Sequence, residues 1–346
     1  MTSKRQTASR QRRPRVSTLA LFGIISIFSG LTQGQTTAPI LNQPAARSTP
    51  FTQGQLKIGA FTGGYEPELA QRYESWLGRP GDFCVTFLTD TAFAPYTKPD
   101  GTKVTDAMTA SGWLLAVWTK ANRPERNMLF SVPLATKQDT SLTNVASGQY
   151  DEVFSSVARI IAHSYPNAVI RIGWEFNGDW YAWQAKGRAQ DYVAAFRRVA
   201  KIFKDISPSF TIDWCPAQGR SGKMDPESAY PGDDVVDVIG MDIYNDYRWG
   251  DFKDDPVRRW NWSLNSDRNL AWQATFAALH HKPMSLPEWG VNRDDPYFIE
   301  HMHDWIVHHD YAYVAYWESD SAFQAMLSHN QYPNSASAYK RLFGSP

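Results

Sequence analysis

From Lys57 onward, short apolar runs rich in β-branched and aromatic residues alternate with stretches of helical period, and that alternation predicts βα units wound into a parallel sheet. Strand-like runs are read at Lys57 to Thr62, Phe83 to Thr89, Trp113 to Thr119, Asn127 to Pro133, Ala168 to Trp174, Phe210 to Cys215, Val235 to Tyr244, Pro283 to Glu288 and Tyr311 to Trp317. Nine runs are one more than a (β/α)8 TIM barrel needs. No helix fits between Trp113 to Thr119 and Asn127 to Pro133, so one of these two is the third strand and the other an excursion. The helices are clearer. In Asp151 to His163, the residues Val153, Phe154, Val157, Ile160 and Ile161 form one apolar stripe. Tyr192, Phe196, Val199 and Phe203 repeat the spacing until Ser207-Pro208 stops it. Leu270 to His280 and Tyr297 to His308 supply two more helices.

Residues 1 to 34 are expected to lie outside this fold. Six bases and no acid precede a largely apolar run from Val16 to Leu31, the build of an export signal or, if uncleaved, an N-terminal anchor. Residues 35 to 55 are rich in Thr, Gln, Ala and Pro and cannot build a core, so they read as a linker to a barrel over residues 56 to 346. Without residues 1 to 34 the chain holds 29 Lys and Arg against 35 Asp and Glu, a balance that excludes a nucleic-acid footprint. Once the signal is removed, an exported monomer with no membrane partner is expected. Cys84 and Cys215 fall in separate strands and read as buried thiols. The aromatic excess, 14 Trp all beyond residue 75, would line a sugar-binding cleft where rings fall at strand ends.

Chemistry concentrates in Ile170-Arg171-Ile172-Gly173-Trp174-Glu175-Phe176-Asn177-Gly178-Asp179-Trp180-Tyr181-Ala182-Trp183. Here an apolar run delivers a carboxylate at its end, between Trp174 and Trp180, where partial desolvation would raise its pKa and suit it to proton donation. A second strand-end acid, Glu288, appears in Leu286-Pro287-Glu288-Trp289-Gly290. Strand ends converge on one face of a closed parallel barrel, so Glu175 (fourth strand) and Glu288 (seventh) would meet there. Two carboxylates across a tryptophan-lined cleft suit cleavage of a glycosidic bond: one protonates the leaving oxygen, the other attacks or activates water. Each acid alone could instead be an ordinary salt-bridge partner at a loop start.

Arg171-x-x-x-Glu175-x-Asn177-Gly178-x-Trp180-Tyr181-x-Trp183 resembles the acid/base segment of glycoside hydrolase family 26, within the clan of retaining (β/α)8-barrel glycosidases. Val236 to Tyr244 resembles that family's sixth strand, Trp214-Cys215-Pro216 the end of its fifth, and Glu288-x-Gly290 its nucleophile strand. The resemblance implies Glu175 as acid/base, Glu288 as nucleophile, Tyr244 as a donor that keeps Glu288 ionised, Trp317 as the platform under the cleaved sugar, and retention of configuration. Arg171, Asn177, Trp180 and Trp289 would join Trp174 in positioning or binding substrate. Two positions depart from the pattern. Trp174 stands where the family carries a histidine that helps bind sugar, and Ile172 where it carries a proline. The exchange at Trp174 would change the choice of substrate more readily than abolish hydrolysis.

The reading is therefore an exported retaining hydrolase of a β-linked polysaccharide (mannan-like, β-glucan or exopolysaccharide) needing no cofactor. A polysaccharide-binding barrel without catalysis would have no need of both glutamates, and a transglycosylase would use the same pair. His301, His303, His308 and His309 read as a solvated helix face rather than a metal site, and Asp233-Asp234 and Asp254-Asp255 as solvated loops. The loop from Asp246 to Asn269 is expected to wall the cleft, with Arg248 or Trp249 meeting sugar.

Overall fold

Eight strands close into a parallel barrel in the computed structural model, which describes residues 56–64, 66–88, 126–136, 139–219, 224–245 and 254–344, Trp118 and a small hairpin of Tyr96–Thr97 with Lys103–Val104. The strands are β1 (Lys57–Phe61), β2 (Phe83–Phe87), β3 (Asn127–Val132), β4 (Val169–Ile172), β5 (Thr211–Trp214), β6 (Val238–Tyr244), β7 (Met284–Gly290) and β8 (Tyr311–Trp317). Their order around the barrel is β1-β8-β7-β6-β5-β4-β3-β2, so every strand neighbours its sequence successor and β1 closes on β8. Asn127–Val132 is thus the third strand, pairing β2 on one side and β4 on the other. The competing run lies outside the described residues except for Trp118, whose buried indole donates to the Gly64 carbonyl at 2.9 Å. The export segment and linker also lie outside the described residues.

The helices are α1 (Pro67–Leu77), α2 (Leu142–Ser147), α3 (Asp151–Ser164), α4 (Ala189–Ile206), α5 (Pro256–Asn265), α6 (Leu270–Leu279), α7 (Pro296–Val307) and α8 (Pro333–Phe343). In α4 the buried set Tyr192, Ala195, Phe196, Val199, Ala200 and Phe203 is the stripe expected from spacing, with Ala195 and Ala200 filling between the large residues. Each large side chain so buried contributes about 1.5–3 kcal/mol relative to exposure. Proline at the first helical position starts α1, α5, α7 and α8, where a missing N–H costs no hydrogen bond.

Strand alternation sorts the apolar residues into two clusters. Met128, Phe130 and Val132 of β3 and Ile170 and Ile172 of β4 face the helices, whereas Leu129 and Val169 fill the barrel with Phe83, Val85, Val238 and Tyr313. One strand breaks the alternation. On β7, Ser285 pairs Gly240 and Glu288 pairs Asp242, so three steps along β7 match two along β6, and the same extra residue appears against β8. That bulge at Leu286-Pro287 brings both Ser285 and Glu288 to the interior, which an odd spacing could not otherwise do. Pro287 fits there because it has no ladder N–H to lose.

Candidate active site

Arg171 is the first group of the site to be fixed. Its position on β4, between outward-facing Ile170 and Ile172, sends a fully buried guanidinium into the barrel. Nε and Nη2 donate to Ser131 Oγ at 2.9 and 2.7 Å, Nη1 donates to both carboxylate oxygens of Asp242 at 2.8 and 3.1 Å, and Nη2 reaches Glu288 Oε1 at 2.6 Å. The other Glu288 oxygen accepts the Tyr244 hydroxyl at 2.7 Å. Asp242 and Tyr244 lie two apart on β6 and so share the interior face. Burial, then the charge of Glu288, pushes the Tyr244 phenol well above its usual range, so it stays a donor.

Glu175 arrives differently. The strand run read to Trp174 ends at Ile172, because Gly173 turns the chain at φ +50° where a Cβ would meet Leu134 at 3.0 Å. Glu175 itself has φ +49°, a left-handed conformation costing a non-glycine residue about 1–2 kcal/mol. A 2.8 Å bond from its N–H to the Cys215 carbonyl holds it there. Its carboxylate accepts Trp180 Nε1 at 2.8 Å. Burial first, and the negative charge of Glu288 second, raise its pKa to about 7, against opposing effects of the Trp180 bond and Arg171. Two carboxyls thus face one guanidinium from different environments: Glu175 is set to carry a proton, Glu288 to accept two charge-assisted or phenolic hydrogen bonds.

Around this pair the expected residues divide. Trp317 is nearly buried and stacks on Phe61 with centroids 4.3 Å apart, and its ring is perpendicular to that of Tyr244. Among the described residues the Trp317 Nε1 atom finds no partner. Trp174 packs on Trp183 and Phe87, donates to the Tyr181 hydroxyl at 3.1 Å and lies 5.4 Å from the Arg171 guanidinium. Trp180, 51% exposed, stands at the surface above Glu175.

Two expectations are corrected. Asn177 is fully buried and binds protein rather than sugar: Nδ2 donates to the Ala217 and Gly219 carbonyls at 2.9 and 3.2 Å, and Oδ1 accepts the Ala217 N–H at 2.8 Å. It ties the Glu175 segment to the loop after β5. Trp289 is also fully buried, but on the outer face of β7 among Tyr316, Tyr339 and Phe343. With Glu288 inward, period two alone sends its neighbour outward. Trp289→Ala is expected to cost about 3–5 kcal/mol of stability in a denaturant titration, with KM for the folded fraction unchanged; a rise in KM without destabilisation would return Trp289 to the cleft.

Sequence reasoning assigned no role to Asp242 or Ser131, the other partners of Arg171, nor to the thiol of Cys215, which donates to Asp242 at 3.2 Å. The signal for Asp242 was its offset of two from Tyr244. Cys84 and Cys215 are both buried and form no disulfide. Deeper in the barrel, Asp213 on β5 accepts Ser285 Oγ at 2.7 Å and the Tyr313 hydroxyl, and burial lifts its pKa to about 6. Of the loop expected to wall the cleft, Arg248 and Trp249 lie outside the described residues. Among the described residues no group of three or more His, Cys, Asp or Glu could hold a metal ion.

The family model for glycosyl hydrolase family 26 matches residues 99–256, a span that includes Glu175 and Tyr244 and stops short of Glu288. Endoglucanase H of Acetivibrio thermocellus is 24% identical over 206 residues, 56% of this chain and 20% of its own length. Beta-1,3-xylanase TXYA of a Vibrio species is 24% identical over 154 residues, 43% of this chain and 29% of its own. The chain therefore spans less than a third of either curated relative. The solved beta-mannanase of family 26 from Bacteroides ovatus shares the fold with a TM-score of 0.54 at 16% identity, covering 83% of this chain and 88% of that one. The chain is therefore a (β/α)8 barrel that is similar to glycosyl hydrolase family 26 over residues 99–256 and shares the fold of a solved member.

Proposed function

We propose that this chain is an exported, retaining glycoside hydrolase that cleaves a β-linked polysaccharide by double displacement. The observation that carries the reading is the pair of unlike carboxyls: Glu175 with its pKa raised to about 7 and Glu288 held by Arg171 and Tyr244. Glu288 attacks the anomeric carbon while Glu175 gives its proton to the leaving oxygen; Glu175 then takes a proton from the water that releases the sugar. Trp317 offers its ring face to the sugar being cleaved. A β-linked polymer is supported by the names of the relatives, an endoglucanase, a beta-1,3-xylanase and a beta-mannanase. Export rests on the basic and then apolar N-terminus.

Reducing-sugar release from mannans, β-glucans, xylans and bacterial exopolysaccharides tests the reading, and no release from any of them would overturn it. On the polymer that is cut, kcat/KM should fall as pH rises through about 7, because the raised pKa leaves Glu175 protonated below that point and unable to donate above it. Trp180→Phe removes a hydrogen bond that favours the ionised form, so the alkaline limb should move to higher pH.

A further inference from the structure

Beside the carboxylate pair a cleft of about 660 Å³ opens between the ends of β1, β2, β4 and β8, within the size range of ligand pockets, roughly 300–1,000 Å³. It adjoins the site through its walls. Phe61 on its wall stacks against Trp317, and Trp174, also on its wall, lies against the Arg171 guanidinium that holds Glu288. Trp183 completes an aromatic side. Neither the pair's chemistry nor the barrel's packing uses this space.

Its charges have one sign. Glu66 and Asp320 line it, and no Lys, Arg or His does among the described residues. Asp320 is braced at the rim by the Ala325 N–H at 3.2 Å and Gln331 Nε2 at 2.7 Å. Glu66 is exposed and its carboxylate has no partner among the described residues; it lies over the β1–α1 turn, so that a Cβ at Gly63 would stand 2.2 Å from its Oε2. A second, independent feature points to a ligand: Thr62, 3% exposed and on the cleft wall, has a buried hydroxyl with no partner among the described residues. The barrel beneath adds to the negative field, with Glu288 and Asp242 sharing one guanidinium.

Aromatic faces beside carboxylates that have no cationic neighbour attract an ammonium group by cation–π and charge-assisted hydrogen bonds, and repel a carboxylate. We infer that the cleft is a second sugar subsite, adjoining the cleaved one, that takes an amino-bearing sugar in preference to a neutral one and rejects uronates, with Glu66 as the residue that reads the amine. The assignment rests on the sugar-cleaving reading for its context and names the substrate class, a β-linked polymer containing free amino sugar.

The test is calorimetric binding to the full chain carrying Glu288→Ala, so that ligands survive, with β-1,4-linked hexamers of glucosamine, glucose and mannuronate at low salt and at pH 6, where the amine is charged. The glucosamine hexamer should bind about tenfold tighter than the glucose hexamer, and the mannuronate hexamer weakest. Adding Glu66→Gln should bring the first two within about threefold, as should 0.5 M salt. Equal binding of glucosamine and glucose hexamers, a ratio unmoved by Glu66→Gln, or binding of none of the three overturns the subsite. Selective, Glu66-dependent binding by a protein that hydrolyses no polymer would overturn the catalytic reading alone and leave the subsite in place.

Discussion

Glu288→Ala should lower kcat on the cleaved polysaccharide by roughly 10⁴-fold or more, and Glu175→Ala by a smaller factor that depends on the leaving group. The difference follows from what each residue does. Without Glu288 no covalent bond to the anomeric carbon can form, whatever the leaving group. Without Glu175 the same bond still forms if the leaving group needs no proton, so an activated aryl glycoside should retain its first step and accumulate glycosyl-enzyme. Azide sharpens the contrast. In Glu288→Ala the anion can occupy the space of the lost carboxylate and attack from that face, giving an α-glycosyl azide from a β-linked substrate. In Glu175→Ala it attacks the glycosyl-enzyme from the opposite face and gives the β-azide. Activity surviving in both variants would sink the assignment, and identical azide products would sink the division of roles.

The positions of these acids were legible because strand-end placement is a local property. A β-branched run ending in a turn places Glu175, an apolar run ending in proline places Glu288, and barrel closure brings them to one face. Side-chain direction was less legible. Trp289 looked like a cleft residue beside Glu288, but alternation sends it among Tyr316, Tyr339 and Phe343. The bulge at Leu286-Pro287, which lets Ser285 and Glu288 both face inward, depends on pairing with β6 and β8 and has no sign in the sequence beyond the proline. Asn177 was misread for the opposite reason. Polar residues after a catalytic acid suggest sugar contacts, yet its amide meets backbone some 40 residues away. The run at Trp113 to Thr119 competed with β3 because composition does not say which of two apolar runs finds a neighbour.

Least legible of all was the set of groups around Arg171, whose partners lie 40, 71 and 117 residues away in the chain. Arg171→Met should cost about 3–5 kcal/mol of stability, because it leaves two buried carboxylates without their counter-charge. It should also reduce kcat, because the loss takes from Glu288 the 2.6 Å hydrogen bond that fixes the direction of its carboxylate. Lysine is not expected to rescue it, since one ammonium cannot reach Ser131, Asp242 and Glu288 along the directions a guanidinium fork provides. A second change separates charge from packing. Asp242→Asn added to Arg171→Met removes one of the stranded charges, and the double variant should recover part of the lost stability in a denaturant titration while kcat stays low, because Glu288 still lacks its donor. If the double variant is no more stable than Arg171→Met alone, the arginine holds the barrel by filling space, and the burial of unpaired charge is not what its loss exposes.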